Sequence, residues 1–565
     1  MSCSKIFSGN LPELMGKIIN HFRNDFSTLH SCILVNRIWC RFAIPILWED
    51  PFSNPSKNNR FIEIYFHYLN ENDKAQLKEY GINNYLILSD TLFNYPTFIK
   101  CLNTQNIMLF VEGWVKNLII VESYNTFSTQ DTNFPLFPSS YRWLNASKFV
   151  FLLLIKIFIN NGIHLHTFEV NILSDMDCNY FNIALGFILQ NPNFIYKIKN
   201  LKFYFNEKIM NVNFFLKFLH YNCNSITSLH LRHSGVINYE LIKFDLSKLI
   251  ISQKNLENIL FEHDRYGTLL PLNHLLSSLK FSNCLNTLKT IIFYEINFKG
   301  INTLYEVFQQ LNALDSIHIL YCYSLTLNSD FIQQIINLTK PFKLKSLFME
   351  ENNEILQIDS IQLLLQKSGD YLENIGFRSL TGDQIKQQLF DLVKNYCTKI
   401  KFFELLGFNK NNLNSVLDLI KNFNQSLNYL SIYDHNHPVG LSSIILQNLG
   451  QLLPFRLEYL CLCLRFNTND FEIFLKNSQN TFIKKLVIRN QSRGEIENIL
   501  PYIKKYIMKK KRVEYLAILE NLFGNSEDLF TSMDEVEEFK SYNIKAKNYD
   551  DLYIQPINFI KEKYI

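Results

Sequence analysis

The sequence has little glycine, little net charge and no long apolar run, and each shortage argues against a class of function. Glycine accounts for only 17 of 565 residues. No Gly-rich phosphate loop, GxSxG motif or HExxH motif is present, so nothing predicts a nucleotide site or a nucleophile with its base. The 56 Lys and Arg residues nearly balance the 52 Asp and Glu residues, which leaves a net charge of +4. This weak surplus gives no reason to expect a nucleic-acid partner.

The longest apolar run is too short to cross a membrane. It covers residues 149–159 and contains Lys156, whereas a membrane span needs about 20 apolar residues. We therefore expect a buried helix there and no membrane association. Residues 1–10 are polar and do not resemble a secretion signal, and the 11 cysteines are irregularly spaced. Both features favour a reducing compartment, so we expect a cytoplasmic or nuclear protein, or one found in both.

Two short patterns of cysteine and histidine fit either a metal site or ordinary structure. Cys461 and Cys463 lie on one side of a predicted strand, and His435 and His437 follow another strand. Metal binding needs about four ligands at close range, and reduced thiols and a polar turn are the simpler interpretations, so we expect no metal and no cofactor. The basic residues Lys504, Lys505 and 509–512 fit either a nuclear import signal or cations at the end of a helix.

Residues 11–48 form a pattern of three short amphipathic helices. Pro12 suits the first turn of a helix, and Leu14, Ile18 and Phe22 then recur every four residues along one face. We expect Ser27 or Thr28 to cap the second helix and Asn36 to precede the third. The apolar surface exceeds what three such helices can bury, so the alternatives are a partner protein or packing on the rest of the chain.

The same residues resemble an F-box. The similarity is carried by Leu11-Pro12-Glu13-Leu14, Cys32, Val35-Asn36-Arg37, Trp39, Ala43-Ile44-Pro45 and Leu47-Trp48-Glu49. The sequence of this stretch resembles that of a large fungal group of F-box proteins with leucine-rich repeats. Many members of that group have LPPE where this chain has LPE. The resemblance implies binding to the Skp-type adaptor of an SCF (cullin–RING) ubiquitin ligase. Matched residue by residue, it implies these adaptor-binding residues: Leu11, Pro12, Leu14, Ile18, Leu29, Cys32, Val35, Trp39 and Trp48.

An apolar-x-x-apolar-x-apolar pattern recurs through the rest of the chain. It first appears at Leu165–Val170 and Ile198–Phe203, and from Ile198 to Val513 successive copies start 26 to 32 residues apart. Helical segments such as 213–221 lie between copies, and another copy at Val115–Ile120 is out of step. Each copy predicts one strand, and the period is typical of the longer leucine-rich repeats. A single unit cannot offset its loss of conformational entropy, so we expect neighbouring units to stack.

The predicted fold is α/β: an N-terminal three-helix F-box followed by a leucine-rich-repeat solenoid. Parallel strands should line the concave face and helices the convex face. We assign residues 8–52 to the F-box and 60–160 to a helical bridge that caps the solenoid. Residues 161–520 form the array of about 13 units, and 521–565 form a C-terminal cap or tail that covers the open strand edge.

The fifth and seventh positions of each copy should face the concave surface. Their mixture of aromatic, basic and acidic side chains is typical of a protein-binding surface, and a solvated sheet without a ligand is the alternative. The predicted target-binding residues are Lys202, Tyr204, His230, Arg232, Glu262, Tyr294, His318, Phe348, Glu350, Arg378, Glu404, Tyr433 and Arg489.

Two functions fit these patterns. The first is a non-catalytic substrate-recognition subunit of an SCF ubiquitin ligase, which binds the adaptor through the F-box and an unknown protein target through the repeats. Its contribution would be proximity, because it would hold a target lysine near a partner enzyme. The second is a repeat scaffold or inhibitor that is not coupled to ubiquitin transfer.

Overall fold

The structure is a computed structural model with two compact units. It describes residues 11–53, 59–80, 82, 91–126, 140–206, 211–234, 242–263, 272–325, 330–350, 357–378, 383–434, 439–491, 499–508, 510–522 and 525–565. Unit 1 comprises Met1–Ile259 and His263–Cys284, and unit 2 comprises Leu260–Glu262 and Leu285–Ile565.

Helices alternate with strands along most of the chain. The α-helices are α1 Pro12–His21, α2 Phe26–Ile33, α3 Arg37–Leu47, α4 Glu71–Glu79, α5 Thr104–Thr126, α6 Ser140–Asn160, α7 Asp175–Leu189, α8 Val212–Asn222, α9 Lys243–Ser252, α10 Leu272–Lys280, α11 Leu304–Gln310, α12 Asp330–Ile336, α13 Ile358–Ser368, α14 Asp383–Tyr396, α15 Leu413–Phe423, α16 Val439–Leu452, α17 Thr468–Asn477, α18 Leu500–Ile503, α19 Met533–Ser541, α20 Tyr549–Leu552 and α21 Pro556–Tyr564. Short 3₁₀ segments include Asn59–Tyr68 and Tyr95–Phe98.

The strands follow one another in chain order. They are β1 Cys101–Asn103, β2 Thr167–Ile172, β3 Asn200–Asn206, β4 Ser228–Ser234, β5 Asn258–His263, β6 Thr290–Tyr294, β7 Ser316–Leu320, β8 Leu344–Glu350, β9 Asn374–Arg378, β10 Phe402–Leu406, β11 Tyr429–Tyr433, β12 Arg456–Leu464, β13 Phe482–Asn490, β14 Val513–Leu522, β15 Asn525–Asp528 and β16 Lys545–Ala546. In unit 1, β1 to β4 pair in parallel. In unit 2, β6 to β14 pair in parallel.

The α/β class and the parallel strand order are confirmed, and the alternation of strands and helices is consistent with a solenoid. Each of the 13 copies from Leu165 to Val513 contains a strand at the expected place. The additional copy at Val115–Ile120 is wrong, because those residues belong to α5, and β1 is the strand that pairs with β2. These residues continue a helix that begins at Thr104, and a short apolar run does not by itself distinguish a strand from a helix.

The strand register changes once between β7 and β8. Ile317 pairs with Leu344 and His318 with Ser346, so β8 carries one extra residue. Beyond the bulge, Ile319 pairs with Leu347 and Leu320 with Phe348. A β-bulge inserts one residue without a partner and is not visible in the apolar spacing.

Apolar side chains on one side of each strand pack against the helices. In unit 1, Phe203 of β3 lies 6.0 Å from Phe215 of α8, and Phe168 of β2 lies 6.3 Å from the same ring. All three side chains are buried. Burying a side chain of this kind contributes roughly 1.5–3 kcal/mol, which explains why the array needs helices on one face.

Two short strands cover the outer edge of β14. β15 pairs antiparallel with Leu519–Leu522, and β16 pairs parallel with Tyr515 and Leu516. An unpaired edge would expose backbone N–H and C=O groups to other chains. Residues 525–546 therefore end the sheet of unit 2.

Within the part of the chain that the structure describes, one helix has the length and composition of a membrane span. It is the segment Trp143–Asn160 of α6, and half of this window is buried inside the protein. Phe151 and Phe158 are among its buried side chains. Its apolar residues thus contribute to the core of unit 1.

Candidate protein-interaction surfaces

The first three helices build a core of their own. Pro12 stands in the first turn of α1, where its missing N–H leaves no intrahelical bond unmade. Asn36 caps α3, because its Oδ1 accepts hydrogen bonds from the N–H groups of Ile38 and Trp39, both at 2.9 Å. The core of this three-helix module consists of Met15, Ile19, Leu29, Cys32, Trp39 and Ala43.

The cap of α2 differs from the expected one. Asp25 precedes the helix, and its Oδ1 accepts from the N–H of Thr28 at 3.0 Å. Ser27 and Thr28 lie inside the first turn, so the expectation that one of them caps α2 is wrong. An ionised carboxylate is the stronger acceptor at a helix N-terminus, where it also meets the positive end of the macrodipole.

The nine residues implied by the F-box resemblance divide between the inside and the outside of the module. Leu29, Cys32 and Trp39 belong to its core, with Trp39 only 8% exposed. Leu11, Ile18 and Trp48 are half-buried, and Pro12, Leu14 and Val35 are exposed. The side chains available to a partner are therefore a subset of the predicted ones.

Two further apolar side chains of the module are exposed. Leu34 is 76% exposed and Phe26 is 39% exposed, beside 43% for Leu14 and 51% for Val35. Neither residue is among those predicted from the sequence. Leu34 directly precedes Val35 in the turn between α2 and α3, outside the apolar stripe of either helix. An apolar residue in such a turn is a sequence signal for an exposed contact.

Trp48 anchors the module to the following segment. Its ring lies 5.9 Å from Tyr65 and 4.4 Å from Tyr95. The carboxylate of Glu49 forms one ion pair with the guanidinium of Arg23, at an N···O distance of 2.9 Å, and another with the ammonium of Lys100. Trp48 thus has a structural contact within unit 1 that sequence matching alone did not indicate.

The sheet face of unit 1 carries a small polar network. Lys202 pairs with Glu169 at 3.1 Å, and the hydroxyl of Tyr204 shares a hydrogen bond with Nδ1 of His230 at 3.1 Å. The guanidinium of Arg232 lies over the Tyr204 ring at 5.9 Å from its centre. Four of the predicted target-binding residues are therefore neighbours here, and all but His230 remain half-exposed.

Asp50 lies at the edge of this network. Burial raises the pKa of its carboxyl to about 6, and the nearby Glu169 carboxylate adds to the rise while Lys202 opposes it. Ionised Asp50 is consequently held in an unfavourable setting near neutral pH.

The sheet face of unit 2 contains a buried ionic cluster. Glu404 is fully buried, and Arg378 donates to both of its oxygens, at 3.2 Å from Nε and 2.9 Å from a terminal nitrogen. The hydroxyl of Tyr321 donates to the same carboxylate at 2.7 Å. Tyr321 follows β7 with a left-handed φ of 52°, which directs the chain away from the strand at this point.

The C-terminal residues 549–565 cover this face of unit 2. Ile557 and Ile560 of α21 join a buried cluster with sheet residues that include Leu260, Ile292, Leu320, Phe348 and Phe402. Tyr549 and Leu552 of α20 join a second cluster, which includes Tyr433, Tyr459, Cys461, Cys463, Val487 and Ala517. We call residues 549–565 the C-terminal segment.

Aromatic and ionic contacts reinforce the C-terminal segment. Phe559 lies 5.1 Å from Phe402 and 4.7 Å from Tyr429, and Tyr564 lies 4.3 Å from His318. Lys561 pairs with Glu262 at 3.1 Å and Lys563 with Glu373 at 3.5 Å.

Burial and neighbouring charges shift the pKa values of His318 and Glu373, which both contact the C-terminal segment. Burial lowers the pKa of His318 to about 3, and the Lys563 ammonium contributes in the same direction. Burial would raise the pKa of Glu373, but hydrogen bonds from Lys401 and Lys345 outweigh it and hold the pKa at about 2. His318 is therefore neutral and Glu373 ionised at neutral pH.

The remaining predicted target-binding residues are mostly beneath or beside the C-terminal segment. Glu262, His318, Phe348, Glu404 and Tyr433 are buried, whereas Tyr294, Glu350, Arg378 and Arg489 are half-buried. All nine lie on strands, but in this structure most of the sheet face of unit 2 is not open. Residues 549–565 thus cover the sheet face, a role that was not predicted from the sequence.

The two thiols Cys461 and Cys463 are buried beside Tyr433, Tyr459 and Tyr549. Burial raises the pKa of Cys461 to about 12, which favours the thiol over the thiolate that binds metals. Across the residues that the structure describes, no group of three His, Cys, Asp or Glu side chains could hold a metal ion. His435 and His437 lie outside the described residues.

The chain was also compared with known proteins. No protein-family model matches the sequence, and no curated protein matches it either.

Proposed function

We propose that this protein is the substrate-binding subunit of an SCF-type ubiquitin ligase. In this proposal, the three-helix module acts as an F-box that binds a Skp-type adaptor, and the repeats act as a leucine-rich-repeat surface that binds a protein target. The chain itself makes and breaks no bond. It raises the effective concentration of a target lysine at a partner enzyme.

One observation carries the adaptor half of the proposal. The module already has a complete core of six buried residues, yet it keeps Leu14, Phe26, Leu34 and Val35 exposed outside it. Four large apolar side chains on a domain of this size are costly to leave in water unless a partner covers them. Leu14 and Val35 also belong to the residues that the F-box resemblance implies.

The target half rests on the parallel strands and their face. Stacked strands bring side chains of neighbouring repeats onto one face. In unit 1 these side chains include Tyr204, Arg232 and Lys202. Aromatic and Arg side chains are the residue types that contribute most to protein interfaces. We therefore propose target contacts on the sheet face of unit 1 and on that of unit 2.

The direct test is adaptor binding by the purified full-length chain, measured by calorimetry with a purified Skp-type adaptor. We expect Leu14→Asp combined with Val35→Asp to weaken binding more than tenfold, because charged groups would be buried in an apolar interface. Leu109→Asp is the matched control, since Leu109 is 45% exposed elsewhere in unit 1. Wild-type chain that does not bind the adaptor, or double variants that bind it fully, would refute the proposal.

A scaffold or inhibitor that is not coupled to ubiquitin transfer is the second candidate. It is favoured by the burial of Leu29, Cys32 and Trp39, three of the nine implied adaptor contacts, inside the module. This candidate predicts that the chain retains protein partners but binds no adaptor, so the calorimetry also separates the two functions.

A further inference from the structure

The C-terminal segment is held on the sheet face of unit 2 by side chains. Among the described residues, the last strand pairing of the chain is that of Lys545 and Ala546 with β14. Beyond it, the N–H of Ile554 donates to the hydroxyl of Tyr459 at 3.1 Å. Releasing the segment would therefore leave the strand pairing of the sheet intact.

The segment resembles a bound amphipathic ligand. α21 has nine residues, and its Ile557 and Ile560 point at the sheet while Asn558 and Glu562 are exposed. An isolated helix of this length is marginal in water, so its order depends on the surface beneath it. Lys561 and Lys563 add ion pairs to Glu262 and Glu373 on that surface.

Two carboxylates beneath the segment, Glu404 and Glu373, keep partners of their own without it. Glu404 stays paired with Arg378 and Tyr321, which belong to the sheet side. Glu373 keeps Lys345 at 3.1 Å and Lys401 at 2.9 Å when Lys563 leaves. Uncovering the face thus exposes an apolar and acidic surface on which Glu404 and Glu373 remain paired.

We propose that the C-terminal segment is a displaceable intramolecular ligand that competes with the protein target for the sheet face of unit 2. This inference rests on the proposed target-binding role of the face. The partner it fits is a protein segment of the same chemistry: an amphipathic helix with aliphatic and aromatic residues on one side, and lysines placed to meet Glu262 and Glu373. Target binding on this face then requires release of the C-terminal segment.

The test uses the full-length chain and a fluorescently labelled synthetic peptide of residues 549–565, with anisotropy as the readout. Ile557→Asp combined with Lys561→Glu should open the face, and we expect the wild-type peptide to bind this variant at least tenfold more tightly than it binds the wild-type chain. Asn558→Asp is the matched control on the exposed side of α21 and should behave like the wild type.

A charge exchange tests the site of binding. This test uses a chain opened by Ile557→Asp with Lys561→Ala, so that its own segment carries no carboxylate at position 561. In that chain, Glu262→Lys should weaken binding of the wild-type peptide, and a peptide carrying Lys561→Glu should restore it, because the 3.1 Å ion pair is re-formed with reversed signs. Equal binding of both peptides would place the peptide elsewhere and overturn the proposal.

Hydrogen exchange distinguishes a ligand from an integral part of the fold. We expect the amides of α21 to exchange at least tenfold faster than those of β9 and β10 in the wild-type chain. If the α21 amides exchange no faster than the strand amides, the segment is not displaceable and the proposal fails. The proposal also fails if the peptide binds the wild-type chain and the opened variant equally. Adaptor binding, measured on the same samples, reports on the other half of the proposed function, so failure of one leaves the other standing.

Discussion

At the scale of single residues, Gly376 is a position where packing forbids a side chain. A Cβ atom there would lie 2.4 Å from Cδ1 of Phe348 and 3.1 Å from Cβ of Glu404. Both neighbours are fully buried on the sheet face of unit 2. The glycine therefore allows Phe348 to lie flat across the adjacent strand.

We predict that Gly376→Ala lowers the free energy of unfolding by about 1–3 kcal/mol, because the added methyl group forces the Phe348 ring to move. Urea unfolding measures the effect. Gly186→Ala is the control: nothing lies within 4 Å of the added atom, and in the middle of α7 the change should raise stability by about 0.5–1 kcal/mol. Similar losses in both variants would contradict this account.

Asp50 gives a residue-scale prediction about pH. Burial raises its pKa to about 6, above the ordinary value near 3.8, so between these values the folded chain binds more protons than the unfolded chain. Its contribution to stability therefore falls as the pH rises through this window. We predict that Asp50→Asn is more stable than the wild type by about 1–3 kcal/mol at pH 7 and by much less at pH 4. Thermal unfolding at both pH values measures this, and a difference that does not change with pH would contradict it.

At the scale of elements, the strands were predictable and one register was not. Apolar residues at the first, fourth and sixth positions, as in Leu201 and Phe203, must be buried whatever the neighbours are, so the period alone located β2 to β14. The bulge at β8 depends instead on how Ser346 meets His318 across the strand pair. Such a contact between repeats has no local sequence signature.

The N-cap of α3 gives a prediction at the same scale. The Asn36 side chain accepts two backbone N–H groups, and in Asn36→Ala these would lose their partner. We expect a loss of about 1 kcal/mol in the free energy of unfolding. Asn36→Ser keeps an acceptor in place and should recover most of it. An alanine variant as stable as the serine variant would show that the cap does not contribute.

At the scale of the whole molecule, the position of the C-terminal segment could not be predicted from the sequence. Lys561 and its partner Glu262 are 299 residues apart, and the apolar spacing of residues 549–565 is equally compatible with a cap, a free helix or a partner-binding motif. The strands define the face, and only tertiary packing decides what lies on it. The adaptor-binding residues were also only partly predictable. The F-box resemblance implies both Trp39 and Leu14, but packing buries Trp39 and leaves Leu14 exposed.

Because the C-terminal segment buries His318 on the sheet face of unit 2, the stability of the folded chain should depend on pH. The ring of His318 is fully buried beneath Tyr564, its Nδ1 shares a hydrogen bond with Ser346 at 2.7 Å, and the charged groups around it are Lys563, Lys345 and Glu373. Burial lowers its pKa to about 3, so below pH 6.5 the unfolded chain binds a proton that the folded chain excludes. The contribution of His318 is complete above pH 6.5 and is lost as the pH falls.

We therefore predict that His318 accounts for a loss of about 2 kcal/mol between pH 7.5 and pH 5. His318→Gln keeps a partner for Ser346 and has no proton to gain, so its stability should fall by that much less over the same range. Urea unfolding at both pH values, followed by hydrogen exchange of the β7 amides, measures the difference. His30→Gln, on the exposed side of α2, is the control. If the His318 and His30 variants lose the same stability on acidification, then His318 is not shielded, and the C-terminal segment does not cover it in solution.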